Sequence, residues 1–208
     1  RGVPVIANFA INTEKIKGKK ADFIERSKDK LSPDYLINYA LNYANGKRIK
    51  EGSLLLVIDE CQLMFNAREW NVKGRAEWLS FFTQHRKFGY DIILVAQFDR
   101  MIDRQIRALI EYEQIHRKVS NFGIKGKILS LIMGGNVFVS VKVWYPMKEK
   151  TGADFFHARK KYYSLYDTFN MFGSGTGGGT GSPPVTEPNM LPVQPDDNAC
   201  CVLDNSNT

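Results

Sequence analysis

The stretch Leu54-Leu-Leu-Val-Ile-Asp-Glu60 determines how the rest of this sequence is interpreted. It starts as an uninterrupted apolar run of strand length, which is typical of a central parallel strand covered on both faces. Two adjacent carboxylates, Asp59 and Glu60, end the run. Ligands bind at the carboxyl ends of strands in open α/β sheets, so the sequence predicts a functional site at this point.

Elements on either side of this run predict a mostly parallel sheet flanked by helices. Residues 75–88 have the spacing of an amphipathic helix, and residues 91–96 form a second apolar run of strand length. Strand, helix and strand in this order are typical of a parallel crossover unit. Upstream, residues 3–10 indicate a further strand, and Ser32-Pro-Asp34 marks the start of a helix that ends at Gly46. The sequence therefore predicts an α/β fold.

The second half of the sequence predicts an antiparallel addition to this sheet. Residues 101–110 have helical spacing. Residues 128–133 are apolar, residues 137–145 alternate, and Gly134-Gly-Asn136 separates the two runs. This pattern predicts a β-hairpin at the sheet edge.

The composition changes after residue 172. Glycine and then proline dominate residues 173–208, which contain four acidic residues and no Lys or Arg. Burial cannot offset the ordering entropy of such a segment, so we expect a folded domain over 1–172 and a flexible acidic tail over 173–208. The body then holds 29 basic against 18 acidic residues, a net charge of +11. This charge favours nucleic acid or an anionic membrane as a partner, with ordinary solubilising charge as the alternative.

The paired carboxylates suit phosphoryl transfer. That chemistry needs one carboxylate in the magnesium shell and a second group that orients or deprotonates water. Asp59 is the candidate magnesium ligand, and Glu60 is the candidate that acts on water. The alternative is a pair of solvated acids at a strand-to-loop boundary.

Two further residues are candidates for the same chemistry. Gln97 ends the apolar run of residues 91–96, where its amide is placed to sense a terminal phosphate or position water; a turn-capping amide is the alternative. Arg86 lies at the end of a helix and is a candidate charge donor to the nucleotide of a neighbouring subunit. The alternative for Arg86 is a basic residue that complements the helix dipole.

The phosphate-binding loop of a P-loop NTPase is missing from this sequence. No Gly, four residues, Gly-Lys-Ser/Thr motif occurs in it. If residues 3–10 are the second strand of such a fold, the first strand and its phosphate loop belong upstream of Arg1. Other classes lack support, because the three histidines show no metal-ligand spacing with Cys61 and no apolar run approaches the length of a membrane span. The odd cysteine count favours free thiols in a reducing compartment.

Four motifs in this order resemble the zonular occludens toxin family, which is itself similar to the gene I assembly proteins of filamentous phages. They are Leu55-Leu-Val-Ile-Asp-Glu60, the pair Phe82-Thr-Gln-His-Arg86 and Gly89-Tyr-Asp-Ile-Ile-Leu94 with Gln97, Ile102-Asp-Arg-Gln-Ile-Arg107, and Leu165-Tyr-Asp-Thr168. The resemblance covers residues 3–172 and rests on the joint order of the motifs.

The resemblance implies an ATPase with a P-loop NTPase-like fold that assembles and extrudes filamentous phage, with ATP and Mg as cofactors. It implies a homo-oligomer at the cytoplasmic face of the bacterial inner membrane, anchored through a segment not present in this sequence. It further implies phage coat and assembly proteins as partners and coated single-stranded DNA as an indirect one. Asp59 and Glu60 take the acidic-strand roles and Gln97 the sensor role, and Arg86, Arg104 and Arg107 match family motifs.

Two departures from the family leave other functions open. The sequence lacks the phosphate loop, so ATPase activity is expected only of the complete protein, and a Gly-rich segment stands where a membrane span is expected. One alternative is a DNA-translocating ATPase of the chromosome or plasmid transfer type. Another is a non-catalytic membrane assembly scaffold.

Overall fold

The computed structural model describes residues 2–16, 21–68, 74–166 and 199–203. Its strands are β1 Val5–Ala7, β2 Phe23–Glu25, β3 Leu54–Ile58, β4 Tyr90–Ala96, β5 Tyr112–Lys118, β6 Val137–Trp144, β7 Glu149–His157 and β8 Ala199–Leu203. Its α-helices are α1 Pro33–Ala44, α2 Arg75–Gln84, α3 Arg104–Arg107, α4 Gly123–Ile132 and α5 Lys160–Tyr163. Short 3-10 turns cover Thr13–Lys15, Cys61–Leu63, His85–Phe88, Asp99–Met101 and Val119–Asn121.

All of the strands belong to one sheet with the order β2-β1-β3-β4-β8-β5-β6-β7. The first four strands in this order pair in parallel, and β8 is antiparallel to both of its neighbours. The strands from β5 to β7 are antiparallel. The α/β prediction is therefore confirmed: a parallel sheet flanked by helices, here called the parallel half, carries an antiparallel half that ends in a hairpin.

The main core lies in the parallel half, because alternate residues of β3 and β4 are fully buried. Leu56 of β3 lies opposite Ile92 of β4, and neither side chain is exposed. Three aromatic residues of α2, Trp78, Phe81 and Phe82, pack into the same core. Burial of each large apolar side chain contributes about 1.5–3 kcal/mol, so this layer holds β3 and β4 firmly in register.

Local sequence explains the ends of α1 better than the end of α2. The Ser32 hydroxyl accepts a hydrogen bond from the Tyr35 amide at 3.2 Å, as predicted for a helix that begins at Pro33. Asn45 adopts the left-handed conformation that ends α1. The predicted helix over residues 75–88 is shorter than expected, since α2 ends at Gln84 and a 3-10 turn covers the rest.

Only the second strand of the predicted hairpin, residues 137–145, is confirmed, as β6. Residues 128–133 belong to α4 and the turn after it, and β6 pairs with β7 instead. A short apolar run fits a strand and a helix equally well by periodicity. Gly134 and Gly135, at φ of 84° and 74°, end the helix, with the Gly135 amide donating to the Ser130 carbonyl at 2.7 Å.

Three other expectations differ from the structure. The predicted helix over residues 101–110 is reduced to the single turn of α3, which Asp103 caps by accepting from the Gln105 amide. Neither strand β2 nor strand β5 was predicted, because neither has a strongly apolar sequence. Pairing to a neighbouring strand holds both in the sheet.

The predicted tail, residues 173–208, lies outside the described residues except for β8. Contrary to the expectation of a flexible segment throughout, β8 pairs with β4 on one side and β5 on the other. The division of the chain at residue 172 stays a prediction. Across the described part of the chain, no helix has both the length and the hydropathy needed to cross a membrane.

Candidate functional site

Asp59 follows β3 at the C-terminal edge of the parallel half, and Asn8 fixes its backbone there. The Asn8 side chain accepts a hydrogen bond from the Asp59 amide at 2.7 Å and donates one to the Asp59 carbonyl at 2.8 Å. Asn8 itself follows the neighbouring strand β1. This two-point contact ties the ends of two adjacent strands together and sets the direction in which the Asp59 carboxylate leaves the sheet.

Glu60 turns away from the strand direction. Its backbone is left-handed, with φ of 50° and ψ of 44°, which is uncommon for a residue other than glycine. Its amide donates to Asp59 Oδ1 at 2.9 Å, and its carboxylate accepts a hydrogen bond from the Gln62 side chain. Both carboxylates are half-buried. Backbone strain of this kind clusters at functional sites, and here it separates the directions of two adjacent acids.

Gln97 lies at the same edge of the sheet as the two carboxylates. Strands β3 and β4 pair in parallel with Ile58 opposite Leu94, so the segments after both strands leave the sheet on the same side. Gln97 follows Ala96, the last residue of β4, and its side chain is exposed. The structure thus brings Asp59, Glu60 and Gln97 to one edge, as the sequence predicted for the strand ends.

Arg86 lies at the other edge. It belongs to the 3-10 turn that enters β4 at Tyr90, whereas Gln97 leaves β4 at its far end. Its guanidinium forms an ion pair with Glu111 at 3.0 Å. Arg86 therefore does not lie near the carboxylates of its own chain. The predicted role of Arg86 as a charge donor would require the nucleotide of a neighbouring subunit.

Tyr166 contacts the acidic site and was not predicted to do so. Burial raises the pKa of its phenol, and the charge of Asp59, a hydrogen bond to Asp59 and the charge of Glu60 act in the same direction. Its ring packs edge-on against Phe9 with centroids 5.8 Å apart. The motif that begins at Leu165 was part of the family resemblance, but no local signal in the sequence assigned Tyr166 to Asp59.

A cleft of about 960 Å³ opens beside this contact. One side is lined by residues 8–15, which follow β1, and by Glu25, the last residue of β2. Residues 163–166 line the other side. Two hydrogen bonds hold the sides together: the Asn12 amide donates to the Leu165 carbonyl at 2.8 Å, and the Lys15 ammonium to the Ser164 carbonyl at 3.1 Å. Residues 163–166 thus close one flank of the site.

The residues present fit a magnesium ion with a nucleotide better than they fit a metal cage. Among the described residues, no three His, Cys, Asp or Glu side chains group as metal ligands. Mg²⁺ usually keeps several waters and takes one or two carboxylates together with substrate phosphates. Asp59 provides such a carboxylate, and a rigid backbone at Asn8 provides the positioning that ligand residues need.

His85 lies away from this site. His85 precedes β4 at the opposite edge, and burial lowers its pKa, as it does for His116 in β5. Asp103 is also buried, and it accepts two hydrogen bonds from the Arg75 guanidinium at 3.0 and 2.7 Å. The Arg75–Asp103 ion pair thus links the start of α2 to the cap of α3.

Comparison with known proteins gives this arrangement a family. The profile described as zonular occludens toxin (Zot) matches residues 2–167. The Gene 1 protein of Enterobacteria phage M13 is 31% identical over 183 residues, which cover 84% of this chain and 49% of that protein. The Gene 1 protein of Enterobacteria phage I2-2 is 32% identical over 129 residues, or 58% and 35% of the two chains. The matched part of this chain thus spans about half the length of the M13 protein and about a third of the I2-2 protein.

A solved structure is also similar. The N-terminal domain of zonular occludens toxin from Neisseria meningitidis aligns with 79% of this chain and 80% of its own, with a TM-score of 0.46 and 19% identity.

Proposed function

Because this chain belongs to the zonular occludens toxin family, we propose that it is the ATPase motor domain for filamentous phage assembly and extrusion through the bacterial inner membrane. The observation that carries the proposal is the position of Asp59, Glu60 and Gln97 at one edge of a buried parallel sheet. In open α/β sheets this edge is the one that binds ligands. Relatives named Gene 1 proteins of filamentous phages support the biological setting.

The proposed chemistry is hydrolysis of ATP by water. Asp59 would bind Mg²⁺, which neutralises negative charge on the transferred phosphate when it is bound. Glu60 would accept a proton from the attacking water, and its fixed backbone holds the carboxylate for that task. Gln97 would donate to, or accept from, the same water or the terminal phosphate. Tyr166 would hold the Asp59 carboxylate through its hydrogen bond and is therefore a positioning residue.

Arg86 would act in a neighbouring subunit of a homo-oligomer. An arginine supplied from outside stabilises charge on a transferring phosphate in many NTPases. Arg86 is half exposed and lies at the sheet edge opposite its own carboxylates, so in this chain it faces away from its own site. In a ring of subunits, the edge that carries Arg86 in one subunit would face the edge that carries the carboxylates in the next. The ion pair with Glu111 would open when the partner's nucleotide binds.

The partners and location follow from the same proposal. The motor would act on phage coat and assembly proteins at the cytoplasmic face of the bacterial inner membrane and contact coated single-stranded DNA indirectly. The described helices contain no membrane span, so anchoring would use a segment other than these.

ATP hydrolysis by the intact gene product tests the proposal. Glu60→Gln removes the proton acceptor while keeping the side chain nearly the same size, and we expect the rate to fall about 100-fold or more with nucleotide binding retained. Glu149→Gln is the matched control, because Glu149 lies exposed in β7 of the antiparallel half. Equal rates for Glu60→Gln and the wild type would reject the catalytic assignment.

A further inference from the structure

Helix α4 presents its large apolar side chains to solvent. The exposed fractions are 78% for Ile124, 55% for Ile128, 81% for Leu131 and 77% for Ile132. These residues follow the i, i+4, i+7, i+8 spacing of an amphipathic helix, whose apolar stripe normally faces a core. The stripe of α4 faces outward instead.

Small residues make this inverted orientation possible. Gly126 and Ser130 form the buried side of α4, where a Cβ atom at Gly126 would clash with the Val119 carbonyl oxygen. A larger residue at this position would push the helix away from the domain. The close approach therefore fixes which side of α4 faces outward.

Both charged residues of this helix are lysines. Lys125 and Lys127 flank the apolar stripe, and both are exposed. No Asp or Glu occurs between Glu113 and Glu149, an interval that contains six Lys and Arg residues. We call the outward surface of Ile124, Ile128, Leu131 and Ile132 with these two lysines the α4 outer face.

We propose that the α4 outer face docks the domain onto an anionic lipid bilayer. A helix with an apolar stripe and flanking lysines lies in the interface plane, with the apolar residues among the acyl chains and the lysines at the headgroups. Each lysine near an anionic surface strengthens binding by about fivefold. This contact goes beyond the proposed motor function, and it does not depend on ATP hydrolysis.

The observations favour a bilayer over two other occupants. A single-stranded nucleic acid would use the lysines but leave the aliphatic stripe in water, since stacking requires aromatic side chains. A second copy in a two-fold contact would bring the same lysines together, because both copies present the same surface. A bilayer accommodates both features of the face.

Sedimentation with lipid vesicles tests the proposal on the chain with the sequence printed here. Vesicles of phosphatidylcholine alone are compared with vesicles of equal parts phosphatidylcholine and phosphatidylglycerol, at low and high sodium chloride. We expect binding to the anionic vesicles that weakens with salt. Leu131→Ser should weaken it about tenfold, and the double change Lys125→Gln with Lys127→Gln about 25-fold.

Leu41→Ser is the matched control, since Leu41 is a 58% exposed leucine of α1 in the parallel half. It should leave vesicle binding unchanged. Equal binding by Leu131→Ser and Leu41→Ser would overturn the proposal. So would a concentration-dependent dimer in analytical ultracentrifugation that Leu131→Ser abolishes, or single-stranded DNA binding that the lysine changes abolish in the absence of vesicle binding. The dimer result would assign the face to a second copy, and the DNA-binding result would assign it to nucleic acid.

Discussion

The parallel and antiparallel halves of the sheet differ in where their large apolar side chains lie. In β3 and β4, residues such as Leu56 and Ile92 are fully buried beneath the helices. In the antiparallel half the buried apolar cluster consists of Val119, Val137 and Val139, with Met133 and Val141 partly buried against it. Under the two proposals above, the parallel half would supply the edge where ATP is hydrolysed, and the antiparallel half the surface that contacts the bilayer.

The core of the parallel half should be the most sensitive part of the molecule. Ile92→Ala is expected to lower the free energy of unfolding by about 2–5 kcal/mol, because it leaves a cavity in the packed layer. Ile124→Ala is its matched control in α4, and its expected effect is within about 0.5 kcal/mol. Urea unfolding of the two variants measures the contrast. If both substitutions lowered the free energy of unfolding equally, the two halves would not differ in packing.

The attachment of α4 should be sensitive at one position. Gly126→Ala places a Cβ against the Val119 carbonyl, so we expect a loss of about 1–3 kcal/mol in the free energy of unfolding. Gly152→Ala in β7 is the control, because a Cβ there meets nothing within 4 Å. Thermal unfolding separates the two. A stable Gly126→Ala variant would mean that α4 packs differently from the structure.

Tyr166 contacts Asp59 at the C-terminal edge of the parallel half. Tyr166→Phe keeps the ring against Phe9 but removes the hydrogen bond to Asp59, so the Mg²⁺ concentration for half-maximal ATPase should rise about tenfold. The measurement is an Mg²⁺ titration of the intact gene product. Tyr43→Phe, at a 47% exposed position of α1, is the control and should leave the titration unchanged. A titration unchanged in Tyr166→Phe as well contradicts the positioning role.

Acid should weaken the fold by a smaller amount through the buried histidines. Burial lowers the pKa of His85 and of His116 below the ordinary value of 6.5, so the unfolded chain binds protons more readily than the folded one. The stability they provide is present above about pH 6.5 and is lost as the pH falls toward the folded pKa. Unfolding free energies across this range, compared between wild type and His85→Gln, should show a shallower slope in the variant. His157→Gln, exposed in β7, should keep the full slope.

The sequence predicted the parallel half better than the antiparallel half, for a physical reason. Continuous apolar runs identify β3 and β4, and Ser32 identifies the start of α1, because burial and capping act on local sequence. Helix α4 was misassigned because the short apolar run over residues 128–133 fits a strand and a helix equally well by periodicity.

The site divides in the same way. Asp59, Glu60 and Gln97 were predicted because parallel strands bring their carboxyl ends to one edge. Asn8 and Tyr166 contact Asp59 although they are 51 and 107 residues away from it along the chain. Local sequence patterns do not encode contacts over such separations. The position of Arg86 at the opposite edge likewise required the fold.

The Mg²⁺ dependence of ATP hydrolysis by Asp59→Asn is the most direct test of the central claim, that the C-terminal edge of the parallel half is the catalytic edge. The substitution keeps the backbone contacts to Asn8 and removes the charge that would bind the ion. For the intact gene product, we predict that the rate falls about 100-fold or more and that saturation requires far more Mg²⁺, while Asp154→Asn in β7 behaves as wild type. An Asp59→Asn curve that overlays the wild-type curve would contradict the account.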